Sequence, residues 1–388
     1  MTDKPKFGLI HHAVVLGDWL EKIPVWLVGA LLAMLAAHVA WAWTPAMGAC
    51  LAALYAVDAA MLALLPRRGK SFGPINAPLI ALAVVRWGLT VAASLVLPRS
   101  QVMALTVVVA VVQAGLTAAA WYGLWIEPFR LGVTRLAIKS PKLNGHAPIR
   151  LLHLSDLHIE RITQRERQLL KRVGELRPDL IVFTGDLLNL SYTHDDRAHA
   201  DCRAVLAQLR APLGVYAISG SVSVDPPPVV RKLLDGLNIQ RLDDQVHAIK
   251  RAGNEPALAL VGVTCTNNDQ RDSKTLAQVM TTVPNNPGNP FTLLLYHTPD
   301  LMPQAAREGI DLYLCGHTHG GQARLPLFGA LVTSSKYWKR YEMGRYTERH
   351  TTLYVSRGIG LEGRGAPRAR FLCPPEIELI ELSGEPSG

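Results

Sequence analysis

The sequence predicts an α/β domain preceded by a four-helix membrane domain, and three observations predict it. Charged residues nearly vanish between Pro24 and Phe129, where four long apolar runs follow one another. From Ile149 onward, short apolar strands alternate with helical segments. Many of those strands end in Asp, Asn or His, where α/β proteins collect their reactive groups.

The apolar runs cover 24–43, 47–66, 77–98 and 102–125. Each reaches the roughly 20 residues that a helix needs to cross a hydrocarbon core of about 30 Å. They lack the polar face of a soluble bundle, and the first is too long and too far from the start for a removable signal peptide. Orientation follows from the basic residues. Lys4, Lys6 and Lys22 precede the first run, Arg67, Arg68 and Lys70 lie in the second loop, and Arg130, Arg135, Lys139 and Lys142 follow the fourth; the opposite loops offer only Arg99. Both termini and the whole second half are therefore expected on the cytoplasmic side, as a multi-pass protein. Cys50, Cys202, Cys265, Cys315 and Cys373 are scattered, odd in number and without a Cys-x-x-Cys pair, as in a reduced compartment. Asp58 and Arg86 fall at similar depths on consecutive spans; an unpaired charge there costs about 2.5 to 3.5 kcal/mol, so the two are expected to face each other.

The domains read as a cytoplasmic segment (1–23), the membrane domain (24–129), a basic linker (130–148), the α/β domain (149–382) and a short tail (383–388). Eight stretches in the α/β domain read as buried strands, many ending in a polar loop: IRLLHLSDLH, PDLIVFTGDLLN, LGVYAISGS, PALALVGVTC, FTLLLYHTPD, IDLYLCGHTHGG, TTLYVSRGIG and PEIELIEL. The net charge of +9 favours anionic partners. No basic patch interleaved with aromatics and no DNA-binding motif accompanies it, so nucleic acid is not an expected partner. The tract HDDRAHAD, 194–201, reads as a solvated acidic helix start.

The polar strand ends supply Asp156 and His158, Asp186 and Asn189, His297, and then His317 and His319. Carboxylate oxygen together with imidazole nitrogen suits Mn, Fe, Zn or Co better than Mg or Ca. Arg161, Arg165 and Arg167 follow the first of these loops, and Arg357, Arg364, Arg368 and Arg370 crowd the last ones; such clusters suit phosphate and diphosphate groups. Arg161 and Arg357 are the candidate substrate contacts.

Asp156-x-His158, Gly185-Asp186, His297 and Gly316-His317-Thr318-His319 resemble the signature of the calcineurin-like metallophosphoesterases. The resemblance spans about Ile149 to Leu382. It implies a four-layer αββα sandwich with two divalent metal ions at the strand ends. Carried over residue by residue, Asp156, His158 and His319 would hold the first metal, Asp186 would bridge, and His297 and His317 would hold the second, with Asp186 and His317 as the candidate catalytic residues. The hydrophobic start, EPFRLGVTRL, GHTHGGQ and the CPPEIELIEL ending are similar to a membrane-associated bacterial branch that includes UDP-2,3-diacylglucosamine pyrophosphatases. This implies a bacterial inner-membrane location and a phosphate-containing small molecule or lipid as partner.

One motif departs from that family. Its third motif is Gly-Asn-His-Asp/Glu, with Asn on the second metal and His near the leaving group, whereas this chain has Gly220, Ser221, Val222 and Ser223. Ser221 is a weaker neutral ligand, so the second site is expected to be weak. Val222 cannot donate a proton, and losing a general acid typically costs about 10²- to 10⁴-fold, less when the leaving group is already good. Asp225 reads either as a substitute ligand or as part of a stiff VDPPP loop. Two functions follow: a phosphodiesterase or pyrophosphatase using metal-activated water, favouring a pyrophosphate-linked lipid nucleotide; or a pseudoenzyme that keeps metal or ligand binding without efficient hydrolysis.

Overall fold

A computed structural model of the chain describes residues 16–96, 101–250, 256–284 and 289–385. Lys4, Lys6 and Arg99, which entered the orientation argument, lie outside the described residues. The chain divides into two compact units, Met1–Glu127 with Glu362–Phe371, and Pro128–Leu361 with Leu372–Gly388.

The first unit contains α1 (Val25–Ala42), α2 (Pro45–Arg67), α3 (Asn76–Val96) and α4 (Val102–Trp121). Each is long and apolar enough to cross a membrane. Thr44 caps α2 by accepting from the Met47 N–H at 3.2 Å, with Pro45 in the first turn, where its missing N–H costs nothing. Gly48 lets α2 lie close on α1, because a Cβ there would stand 2.5 Å from that of Ala40. The expected pairing of Asp58 with Arg86 is present, and it is bidentate: Arg86 Nε and Nη2 donate to the two carboxylate oxygens at 2.6 and 2.7 Å. α4 completes the cluster, with Arg86 Nη1 donating to Gln113 Oε1 at 2.9 Å and Nη2 to Thr117 Oγ1 at 3.0 Å.

The second unit starts earlier than the sequence suggests. Residues read as a linker form β1 (Gly132–Lys139), followed by β2 (Ile149–Leu154), β3 (Leu180–Phe183), β4 (Val215–Ala217) and β5 (Gln240–Arg241). A second sheet takes β6 (Gln245–Lys250), β7 (Pro256–Gly262), β8 (Phe291–Leu295) and β9 (Leu312–Cys315). After the small hairpin β10 (Arg324–Leu325) and β11 (Gly329–Ala330), that sheet gains β12 (Gly344–Glu348) and β13 (Thr351–Val355). The last strand, β14 (Glu376–Ser383), returns to the first sheet. The orders are β1-β14-β2-β3-β4-β5 and β12-β13-β9-β8-β7-β6. β1 pairs in parallel with β14 from Gly132↔Glu376 to Lys139↔Ser383. Its basic residues suggested a linker, but at a sheet edge they are compatible with a strand whose Ile138, and in part Leu136, reach the core.

The sheets pack face to face. Leu151, Leu180, Val182, Ile380 and Leu382 from one meet Leu258, Leu260, Leu293, Leu295 and Leu314 from the other. Alternation sends Leu152, Leu154, Ile181 and Phe183 to the outer face of the first sheet, beneath α5 (Gln164–Leu176), α6 (Asp196–Leu206) and α7 (Pro227–Leu234). α8 (Asp269–Met280) and α9 (Met302–Arg307) cover the other sheet through Leu276, Val279 and Ala305. This is the expected four-layer αββα arrangement. β2, β3 and β4 run parallel, as do β7, β8, β9 and β13, so within each sheet their carboxyl ends share one edge.

Candidate metal centre

The loop after β2 carries Asp156 and His158, and its backbone runs along the loop after β3: Asp156 N–H donates to Gly185 O and His158 N–H to Asp186 O, both at 3.0 Å. The loop after β4 comes equally close because two glycines face each other. A Cβ on Gly185 would stand 2.2 Å from Gly220 Cα, and one on Gly220 would stand 2.2 Å from Asp186 Oδ1. The ends of β8 and β9 add His297, and His317 with His319.

Two groups of donors result, Asp156 with His158 and His319, and Asp186 with His297 and His317; within each, one ligand atom per residue lies within 4.8 Å of the others. Asp186 reaches both groups, its Oδ2 lying 3.6 Å from His158 Nε2 and 3.4 Å from His297 Nε2. His158 and His319 bring their Nε2 atoms to 3.0 Å. His158 Nδ1 is buried without a hydrogen-bond partner. Converging imidazole nitrogens and buried carboxylates form a donor set that fits divalent cations. His297 donates from Nδ1 to the Thr184 carbonyl at 2.8 Å, which turns Nε2 toward Asp186.

The electrostatics follow from burial and mutual charge. Burial pushes the Asp156 carboxyl up. Burial also opposes ionisation of Asp186, but His297 and His158 beside it prevail and hold its carboxyl at about 2. Burial works against a charge on His297, yet the Asp186 carboxylate raises it well above the ordinary imidazole range. Burial and the neighbouring His297 lower His317 to about 3, leaving a neutral ring with a free lone pair.

Ser221 stands beside the second group: its N–H donates to Asp186 Oδ1 at 2.8 Å, and its Oγ lies 3.1 Å from His297 Nε2. Val222 is exposed, at 45%. Asp225 is outside both donor groups. Its carboxylate accepts from the N–H groups of Asp186 (2.7 Å), Gly220 (2.9 Å) and Leu187 (3.1 Å), clamping the β3 and β4 loops together. Burial and the Asp186 charge push that carboxyl up to about 7.

The candidate arginines are already engaged. Arg161 pairs with Asp195 at 2.9 Å, and Asp195 also caps α6, the acidic helix start read from the sequence. Arg357 pairs with Glu376 at 2.6 Å. Arg364, Arg368 and Arg370 belong to the helical unit, where Arg370 is buried. Asn189 holds a loop, donating to Leu361 O at 2.9 Å.

Sequence reasoning missed the support beneath Asp156. Ser155 Oγ donates to Asp156 Oδ2 at 2.6 Å, and Thr184 Oγ1 to Ser155 at 2.7 Å. His153 Nε2 meets Thr184 Oγ1 at 2.9 Å, and His153 Nδ1 lies 2.9 Å from Glu378 Oε2. The available signal is the period of β14, which puts Glu376 and Glu378 on the same face as Ile380 and Leu382.

Residues 149–321 match the family model for calcineurin-like phosphoesterases. Phosphodiesterase YaeI of Escherichia coli is 31% identical over 245 residues, covering 61% of this chain and 83% of that protein. This chain belongs to the calcineurin-like phosphoesterase family. Every member of the two donor groups lies inside the matched span. The uncharacterized metallophosphoesterase YkuE of Bacillus subtilis is 29% identical over 282 residues, 70% of this chain and 93% of that protein. UDP-2,3-diacylglucosamine pyrophosphatase LpxG of Chlamydia muridarum is 27% identical over 309 residues, 67% and 92% respectively. The chain is thus a membrane-associated hydrolase acting on phosphoester bonds, and its family implies divalent metal.

Proposed function

We propose that this phosphoesterase works with two divalent ions at the cytoplasmic face of a bacterial inner membrane and cleaves a pyrophosphate or phosphodiester in an amphiphilic substrate. One observation carries the reading: the Asp186 carboxylate stands between the two donor groups, within 3.6 Å of both His158 and His297. Asp156, His158 and His319 would hold the first ion, His297 and His317 the second with Ser221 as a weaker ligand, and Asp186 both. When bound, such ions polarise a phosphoryl oxygen and lower the pKa of coordinated water toward about 7.

The chain's own residues set what that chemistry can reach. Asp186 and Asp156 fix negative charge at the cation positions, and the Thr184 carbonyl holds the His297 ring in place. Val222 has no proton to give a leaving group. Departure must then be easy, which favours a phosphoanhydride over an alkyl ester. The names of LpxG and YaeI, a pyrophosphatase and a phosphodiesterase, lie in the same class. A lipid-linked nucleotide such as UDP-2,3-diacylglucosamine is the proposed substrate type.

The test is a panel of Mn²⁺-dependent hydrolysis assays on the purified full-length chain, with Asp186→Ala alongside. Pyrophosphate-linked substrates should be cleaved in preference to alkyl phosphomonoesters, and Asp186→Ala should abolish turnover. Turnover that survives Asp186→Ala would place the chemistry elsewhere. The change to Ser221, Val222 and Ser223 favours a second reading, a metal-binding pseudoenzyme; bound metal without turnover on any member of the panel would decide for it.

A further inference from the structure

Three residues beyond the His319 loop, the chain projects a short hairpin whose surface is apolar. Leu325, Leu327 and Phe328 at the tip are 46%, 110% and 56% exposed, and Leu331, Val332 and Trp338 behind them are exposed as well. Leu327 takes a left-handed backbone, φ 63°, an uncommon conformation for a bulky residue, and it is held there with its side chain wholly in the open. The base of the hairpin is firm. Arg324 pairs with Glu342 at 2.8 Å and donates to Gly320 O at 3.0 Å, which ties the hairpin to the loop that carries His319.

Cations outnumber carboxylates along this part of the chain, and three of them are paired: Arg324 with Glu342, Lys336 with Asp269 at 2.6 Å and Arg340 with Glu348 at 3.4 Å. From Gln322 to Arg345 the sequence holds five cations, Arg324, Lys336, Lys339, Arg340 and Arg345, against the single carboxylate Glu342. Lys339 Nζ sits 3.2 Å from the centre of the Phe328 ring. An apolar tip rimmed by cations complements a surface that is anionic outside and hydrocarbon within. Four helices long and apolar enough to cross a membrane would keep a bilayer within reach of the chain.

We infer that the β10–β11 hairpin is a lipid-docking element: Leu325, Leu327 and Phe328 enter the interface of an anionic bilayer, and Lys339 and Arg340 contact its head groups. Docking through a hairpin hydrogen-bonded to the His319 loop would bring an amphiphilic phosphoester from lipid to the metal centre. Only this last consequence rests on the hydrolase reading above.

The experiment uses the full-length chain in nanodiscs. Cys50 is the exposed cysteine and the other four are buried, so a Cys50→Ser background permits selective labelling. An environment-sensitive fluorophore is placed at Leu327→Cys, and at Lys171→Cys on α5, 77% exposed, as control. Quenching by lipid-borne quenchers should be strong at 327, weak at 171, and stronger in anionic than in zwitterionic discs. Equal quenching at both positions overturns the inference. A blue shift at 327 without lipid quenching also overturns it, since protein and not lipid would then cover the hairpin.

A kinetic arm follows the double variant Leu327→Asp/Phe328→Asp. The ratio of kcat/KM for a lipid-embedded phosphoester to that for bis(p-nitrophenyl) phosphate should fall by roughly tenfold or more, as expected for losing two apolar anchors. An unchanged ratio counts against docking. If the unsubstituted chain cleaves neither substrate, the hydrolase reading fails and the quenching result alone decides the inference.

Discussion

Asp156, His158, Asp186, His317 and His319 all hold left-handed backbone, with φ between 42° and 69°. Such conformations cost on the order of 1 kcal/mol or more each and persist only where surrounding contacts over-determine them. Here the Asp225 clamp, the Gly185–Gly220 approach and the Ser155–Thr184 support provide those contacts. Against this ordered frame the Ser221–Val222 change is local. If the chain is a weakened enzyme, Ser221→Asn with Val222→His should raise metal-dependent hydrolysis by roughly 10²-fold, most on poor leaving groups, which need the proton most. Steady-state assays across leaving groups of graded pKa check this, and no change on any of them would argue for the pseudoenzyme. His297 gives a pH prediction. Metal needs its unprotonated Nε2, and Asp186 raises its affinity for a proton, so second-site metal affinity should weaken as pH falls from the alkaline side, already above the ordinary value of 6.5. Calorimetric titration with Mn²⁺ at several pH values measures it. In the metal-free chain the same pair contributes stability that is full between about 3.8 and about 6.5, is lost as pH rises through the raised His297 value, and is lost again as pH falls toward the Asp186 value of about 2.

At the scale of elements, the buried charges in the helical unit are a satisfied network rather than a lone pair. Asp58 on α2, Arg86 on α3, and Gln113 and Thr117 on α4 tie three helices together, and Gln113 Nε2 returns to Arg86 O at 2.9 Å. Arg86→Met should destabilise the helices by about 3 kcal/mol or more, because it strands Asp58 without its partner. Asp58→Leu with Arg86→Met should recover most of that loss. Thermal unfolding of the purified chain in detergent compares the two, and a double variant as unstable as the single one would mean that packing, not charge, sets the cost. The sheets show how far sequence pattern reaches. All eight strands read from the sequence are interior, and the four it missed in the two large sheets, β1, β5, β6 and β12, are the edges. Edge strands expose one side to water and so carry Lys, Arg, Gln and Glu, which blur the apolar alternation that marks a strand.

At the scale of the molecule, four spans should place both termini on the side that carries the basic loops. Arg67 ends α2 and Arg68 and Lys70 follow it, and Arg130, Arg135 and Lys139 follow the fourth helix. A reporter active only in the periplasm, fused to the C-terminus, should therefore stay silent, while one active in the cytoplasm should give signal; the reverse pattern would invert the topology.

The sequence by itself determined the spans, the interior strands and the residues at their carboxyl ends, because these depend on hydrophobic length, on a period of two and on position relative to a strand end, all of which are local. Only the tertiary structure decided which residues support them. Asp225 proved to be a clamp on the Asp186 backbone, since two of the N–H groups it accepts from, those of Asp186 and Leu187, come from a loop 39 and 38 positions away. Glu378 stands behind Asp156 because β14 returns to pair with β2. Residues 362–371 joined the helices, and 132–139 joined the sheet, for the same reason. Long-range pairing places polar groups where no local pattern can announce them.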